Sequence, residues 1–180
     1  MVTSGVVPGF VMVQLLSYSL TGDYLNITEV FSENSWNESM VQYLPFVGLL
    51  IVIASGYRLA KFNVDTRQTT SFIGLPTPAN TLLILSLPLI LAFQQTEMIT
   101  DIILNTWVLI GLTILSCILL NAEIPLFALK FKTWDLKGNA IRYVFLLICA
   151  VGLFFFHFLA IPVIILLYIL LSLFWKEISD

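Results

Sequence analysis

Between Tyr143 and Trp175 the chain runs for 33 residues with one histidine and no charged side chain. As a single α-helix this stretch would be about 50 Å long, against a bilayer hydrocarbon core of about 30 Å. A run this apolar belongs in lipid, and a run this long must turn. Pro162 and the surrounding HFLAIP sequence permit a tight reversal into two helices. Four more apolar runs precede it, at Val2–Leu20, Val41–Ala60, Ala79–Phe93 and Ile102–Leu120. Only 11% of residues are charged, less than half the roughly 25% of soluble domains. Mean hydropathy is +0.98. The expected fold is therefore all-α, a polytopic membrane helical bundle of six transmembrane helices forming a single domain over residues 1–180.

Charge sidedness supports the count of six. With six crossings all eight Lys and Arg residues, from Arg58 to Lys176, fall on one side. Asp23, Glu29, Glu33, Glu38, Glu97 and Asp101 fall on the other. A single terminal helix would strand Lys176 among those acids. The basic side is expected to be cytoplasmic. No cleavable signal peptide is evident, and the first helix pattern starts at Met1 without a polar lead-in. Cys117 and Cys149 lie inside apolar runs and are expected to be buried thiols.

The segment YRLAKFNVDTRQTTSFIGLPTPAN, residues 57–80, is the main polar interruption on the basic side. Arg58 and Lys61 share a helix face. Two cations so placed can hold a diphosphate or a carboxylate, or can simply reach to lipid headgroups. Gly74 and Pro76 make a tight, rigid approach to the next helix. Thr77 is expected to cap that helix, with Pro78 as its first residue and Pro88 kinking it. In the first span, Ser4, Gly5, Pro8 and Gly9 allow either close helix packing or space for a substrate beside the helix.

The stretch from Phe127 to Arg142 interleaves Lys130, Lys132, Lys137 and Arg142 with Phe127, Phe131 and Trp134. That mixture reads as interfacial anchoring to anionic lipid, and no nucleic-acid partner is expected. His157 reads as structural. Asn26-Ile-Thr and Asn37-Glu-Ser match a glycosylation tripeptide that is common by chance. Asp65 and Asp135 have no acidic partner at helical spacing, and no nucleophile or metal-ligand motif is present. From the residues alone, an enzyme part, a transporter half and a structural membrane protein all remain open.

Three stretches narrow this. MVTSGVVPGF, RLAKFN with FIGLPTP, and AEIPLFALKFK, in this order, resemble the CDP-alcohol phosphatidyltransferase family. Within it they are most similar to the bacterial CDP-diacylglycerol–serine O-phosphatidyltransferases, over most of the chain. The family's signature, D-x-x-D-G-x-x-A-R followed by two further spaced aspartates, is absent. By the resemblance the chain is expected to begin one residue after it. The family's aspartates bind divalent metal (Mg or Mn) and supply the general base, so the resemblance places no catalytic or metal-binding residue in this chain.

What the resemblance implies for the complete enzyme is phosphatidyl transfer at the cytoplasmic face of a bacterial inner membrane. Serine's hydroxyl attacks the β-phosphorus of CDP-diacylglycerol, giving phosphatidylserine and CMP. Ser4 and Gly5 would form the cavity wall. Arg58, Lys61 and Asn63 would contact phosphate or carboxylate, and Gly74 and Pro76 would shape the pocket mouth. A homodimer is expected by resemblance only. The alternatives are another acceptor, glycerol phosphate or inositol phosphate, and a non-enzymatic membrane or transport subunit.

Overall fold

The computed structural model describes residues 1–26, 43–64, 72–126 and 136–179. Among them the architecture is all-α apart from one pair of two-residue strands. A π-helical turn, Val2–Val6, leads into α1, Val7–Thr21. The irregularity has a local cause, because Pro8 has no N–H to donate to the carbonyl of Ser4. Helix α1 stops at Gly22, whose φ of 79° supplies the left-handed cap and whose N–H donates to Tyr18 O. A 3-10 turn at Leu44–Leu49 opens α2, Leu50–Val64. Then come β1, Phe72–Ile73, and α3, Thr77–Phe93. The rest are α4, Glu97–Ile103, α5, Thr106–Asn121, β2, Pro125–Leu126, α6, Leu136–Phe156, and α7, Ala160–Ser179. The strands pair antiparallel, Phe72 opposite Leu126 and Ile73 opposite Pro125.

The expected six crossings are not what these helices provide. Three segments are long and apolar enough to cross a membrane: Val2–Thr21, Leu44–Asn63 and Tyr143–Ser172. A fourth exists only if α4 and α5, bent by 57°, act together. Helix α3 has 17 residues, about 25 Å of rise against a core of about 30 Å. Polar interruptions mark where apolar runs end, not whether each run forms one straight rod of bilayer length. That is why counting interruptions overcounts crossings. The last segment is folded back on itself at His157, which has φ 48°. The rings of Phe145 and Tyr168 meet at a tilt with centroids 5.8 Å apart, where a straight helix would separate them by about 34 Å. Gln94 holds this reversal with both ends of its amide. Its Nε2 donates to Phe156 O at 3.0 Å and its Oε1 accepts from Leu159 N at 3.0 Å.

Two smaller expectations also need correction. Thr77 is the first residue of α3 rather than its cap; Pro76 occupies the capping position and makes no side-chain bond. Flanking prolines fix the backbone here, so no hydroxyl cap is needed. Cys117 and Cys149 are free as expected, but partly exposed rather than buried. Cys117 packs against the main buried cluster while keeping part of its surface exposed.

The tightest contact is between α1 and the 3-10 turn before α2. A Cβ added at Gly48 would sit 2.7 Å from Val13 N and 3.1 Å from Gly9 O. One added at Gly9 would sit 2.5 Å from Val52 Cγ2. Lipid chains are as apolar as leucine, so helices associate by such close fitting rather than by hydrophobic exclusion. The Gly5 to Gly9 spacing thus serves packing.

Around this contact four helices meet on stripes of helical spacing. Toward one end the interior is mainly apolar: Met12, Leu16, Ile51, Ile84, Leu87 and Leu109 form one buried cluster, and the buried hydroxyls of Ser17, Ser86 and Thr113 bond to backbone carbonyls. Toward the other end the same stripes become small or polar, through Gly5 on α1's lead-in, Ser55, Asn80 and Ser116. The bundle interior is therefore polarised along its length.

Gly48→Ala is expected to destabilise the protein by about 1–3 kcal/mol through overpacking against backbone. Gly111→Ala, where an added Cβ meets nothing within 4 Å, should be neutral or stabilising by up to about 1 kcal/mol. Unfolding of both variants in detergent, followed by circular dichroism, measures the difference.

Candidate functional site

The polar end of the bundle is organised by Arg58, near the end of α2. Its Nη1 donates to Leu120 O at 2.5 Å and its Nη2 to Gly74 O at 3.0 Å. The last carbonyls of any α-helix lack intrahelical partners and carry the negative end of its dipole. In α5 they are met one by one. Ile118 O accepts from Ala122 N at 2.7 Å, Leu119 O from Leu75 N at 2.9 Å, and Leu120 O from Arg58. The guanidinium thus joins the end of α2, the end of α5 and the turn before α3.

Gly74 is required by that arrangement for two reasons. Its φ is +73°, a conformation costly for residues with a Cβ. A Cβ there would also fall 2.6 Å from Ala122 O and 2.7 Å from Arg58 Nη1. The Gly74 N–H donates to Ile124 O at 2.8 Å, continuing the β1–β2 pairing. Pro76 follows, partly buried, at the capping position of α3.

The other expected site residues divide between rim and interior. Lys61 Nζ pairs with Glu123 Oε1 at 2.9 Å, with side chains 33% and 65% exposed. Such a solvated pair is worth about 0–1 kcal/mol. Asn63 is exposed one half-turn further on. Ser4 and Gly5 lie inside, against α2: Ser55 Oγ donates to Ser4 O at 3.5 Å, a bond at the limit of length. A Cβ at Gly5 would sit 3.1 Å from Ser55 Cβ, so the space beside this glycine is taken by α2. Arg58, Gly74 and Pro76 therefore form one cluster with Lys61 and Asn63 at its rim. Ser4 and Gly5 line the neighbouring interior.

Neither expected role of Arg58 anticipated this geometry. Its charge turns inward to backbone carbonyls. Sequence reading also missed a buried polar layer beneath it. Asn80 is fully buried, and neither its Oδ1 nor its Nδ2 has a hydrogen-bond partner among the described residues. Ser116 Oγ is likewise buried and unpaired, as is Asn121 Oδ1. The amide nitrogen of Asn121 donates to Cys117 O at 3.0 Å and to Ala54 O at 3.4 Å. Leaving a buried polar group unpaired costs roughly 1–3 kcal/mol. The available signal was periodicity. Asn80 is one turn before Ile84, and Ser116 shares a stripe with Leu109, Thr113 and Leu120, all four nearly inaccessible.

Among the described residues no group of three or more His, Cys, Asp or Glu side chains is placed to hold a metal ion. The basic and aromatic residues 127–135, with Asp65 and Arg67, lie outside the described residues.

Replacing Arg58 with Met should cost about 2–4 kcal/mol, since it removes two charge-assisted bonds and strands buried carbonyls. Arg58→Lys should recover only part, because an ammonium cannot fork between two acceptors. Lys61→Ala should cost no more than about 1 kcal/mol. Denaturant midpoints in detergent rank the three; equal, small effects at positions 58 and 61 would remove the brace from the account. Comparison with protein-family models, with curated proteins and with solved structures finds no match to this chain.

Proposed function

We propose that this chain forms the substrate-cradling part of a CDP-diacylglycerol–serine O-phosphatidyltransferase. The observation that supports this reading is the bond from Arg58 to Gly74 O at 3.0 Å. It joins the RLAKFN and FIGLPTP segments, whose resemblance to the family suggested the activity, into one unit at one end of the bundle. The apolar helices suit a membrane-embedded enzyme whose lipid substrate enters sideways. If the end carrying Arg58 and Lys61 is cytoplasmic, as the positive-inside rule favours, the unit faces the compartment that supplies a nucleotide-activated lipid and serine.

In this reading Lys61 and Asn63, at the rim, are the groups that touch phosphate or carboxylate. Lys61 exchanges its exposed partner Glu123 for substrate at little cost. Arg58 is a positioning residue: it holds Gly74 and Pro76, and through them the start of α3, whose N-terminal dipole favours an anion. The reaction joins serine's hydroxyl oxygen to the β-phosphorus and breaks that phosphorus's bond to the bridging oxygen, which leaves with CMP. The hydroxyl proton needs a base, and the family's aspartates are not among these residues.

The test is release of CMP with transfer of labelled serine into chloroform-soluble lipid. The chain fused behind the family's signature-bearing helices should turn over with added Mg or Mn, and the chain alone should not. Lys61→Ala should raise KM at least about tenfold. Arg58→Lys should lower kcat with less effect on KM. Absence of transfer to serine, glycerol phosphate and inositol phosphate alike, from a folded fusion, would sink the reading.

A further inference from the structure

Most buried hydroxyls in this bundle find a partner nearby. Thr113 Oγ1 donates to Leu109 O at 2.8 Å, Ser86 Oγ to Leu83 O at 2.6 Å and Ser17 Oγ to Asp23 O at 3.2 Å. A serine inside a helix can satisfy itself in this way on the preceding turn. Ser116 does not, and Asn80 leaves both ends of its amide unpaired. Asn80 and Ser116 share one depth, whereas the remaining unpaired group, Asn121 Oδ1, lies at the end of α5. The bond from Leu75 N to Leu119 O, 2.9 Å, pins the approach of α3 to α5. Asn80 lies about one turn past Pro76 and Ser116 about one turn before Leu119, so both sit one turn below that pin.

The polar atoms of Asn80 and Ser116 are enclosed, so no water-sized space adjoins them. A closed polar seam of this kind gains hydrogen bonds by opening to water, whereas an apolar seam would lose contacts. What opposes opening lies directly above it. Gly74 and Leu75 are tied to Ile124 and Leu119 through backbone bonds, and to the end of α5 through the guanidinium of Arg58. Leu75 is 1% exposed and packs with Leu83, Ile165 and Ile169 as a plug.

We propose that the start of α3 is a gate: the Gly74–Leu75 turn swings off α5 to admit water to Asn80 and Ser116, and Arg58 is its latch. The gate does not depend on the phosphatidyl-transfer reading. It concerns how polar molecules reach the bundle interior, whatever chemistry follows. The polar half of the core is then a lining for the open state, carried at a cost in the closed one.

The test uses a Cys117→Ala, Cys149→Ala background with Ser116→Cys as reporter and a water-soluble methanethiosulfonate as probe. Labelling should be slow with Arg58 present and at least about thirtyfold faster with Arg58→Met, as expected for losing charge-assisted bonds that exist only in the closed state. Thr113→Cys, about one turn deeper, should stay unlabelled in both. Equal labelling at 113 and 116 means global unfolding and overturns the gate. Asn80→Leu, with Arg58 intact, should raise the thermal midpoint and slow labelling at 116. This second variant guards against poor folding of Arg58→Met. A lowered midpoint, or an unchanged labelling rate, overturns the proposal.

Discussion

One guanidinium decides how the polar end of this bundle is built. In lipid, helix ends cannot leave carbonyls to solvent at no cost, and α5 ends inside the assembly rather than beyond it. Arg58 meets that demand from a neighbouring helix and uses its second nitrogen to fasten the turn before α3. Only arginine has a rigid fork with donors pointing in two directions and a charge that persists when partly buried. The left-handed glycine, the close approach of Ala122 and the start of α3 all follow from where that fork sits.

The rest of the core obeys a different rule. Helices surrounded by lipid gain little from hiding leucine, so fit and hydrogen bonding carry their association. The fit is supplied by Gly9 and Gly48, where two backbones nearly touch. Toward the Gln94 end the interior is mainly apolar and its buried hydroxyls, such as Ser17 and Ser86, are bonded to backbone carbonyls. Toward the Arg58 end polar groups penetrate the core itself. The last hairpin stands apart: 11% of the most apolar window in Tyr143–Ser172 is buried, against 44% in Val2–Thr21. It is the lipid-facing flank of the assembly.

Much of the site was legible as composition and little of it as geometry. The pairing of Arg58 with Lys61 on one face follows from helical spacing, yet the two point to different partners. Lys61 finds a carboxylate at the rim and Arg58 finds carbonyls inside. That difference depends on where α5 ends, 62 residues further along the chain. Gly74 could be recognised as a turn residue, but its need to yield space to Ala122 could not. Asn80 was expected in the first turn of a helix, but that does not say which face turns inward, and only burial reveals it as core.

By itself the sequence determined that this chain is helical and lives with lipid. Long apolar runs and scarce charge leave no other way to satisfy the backbone. It also determined that the final run must reverse, since 33 residues exceed any bilayer. Tertiary structure alone decided how many helices are long enough to cross, because bends and lengths of rods are not written in hydropathy. It alone set Arg58 against the end of α5 and buried Asn80 and Ser116 without partners. Those outcomes depend on which helix ends meet in space, and hydrogen bonds between distant segments leave no periodic trace along the chain.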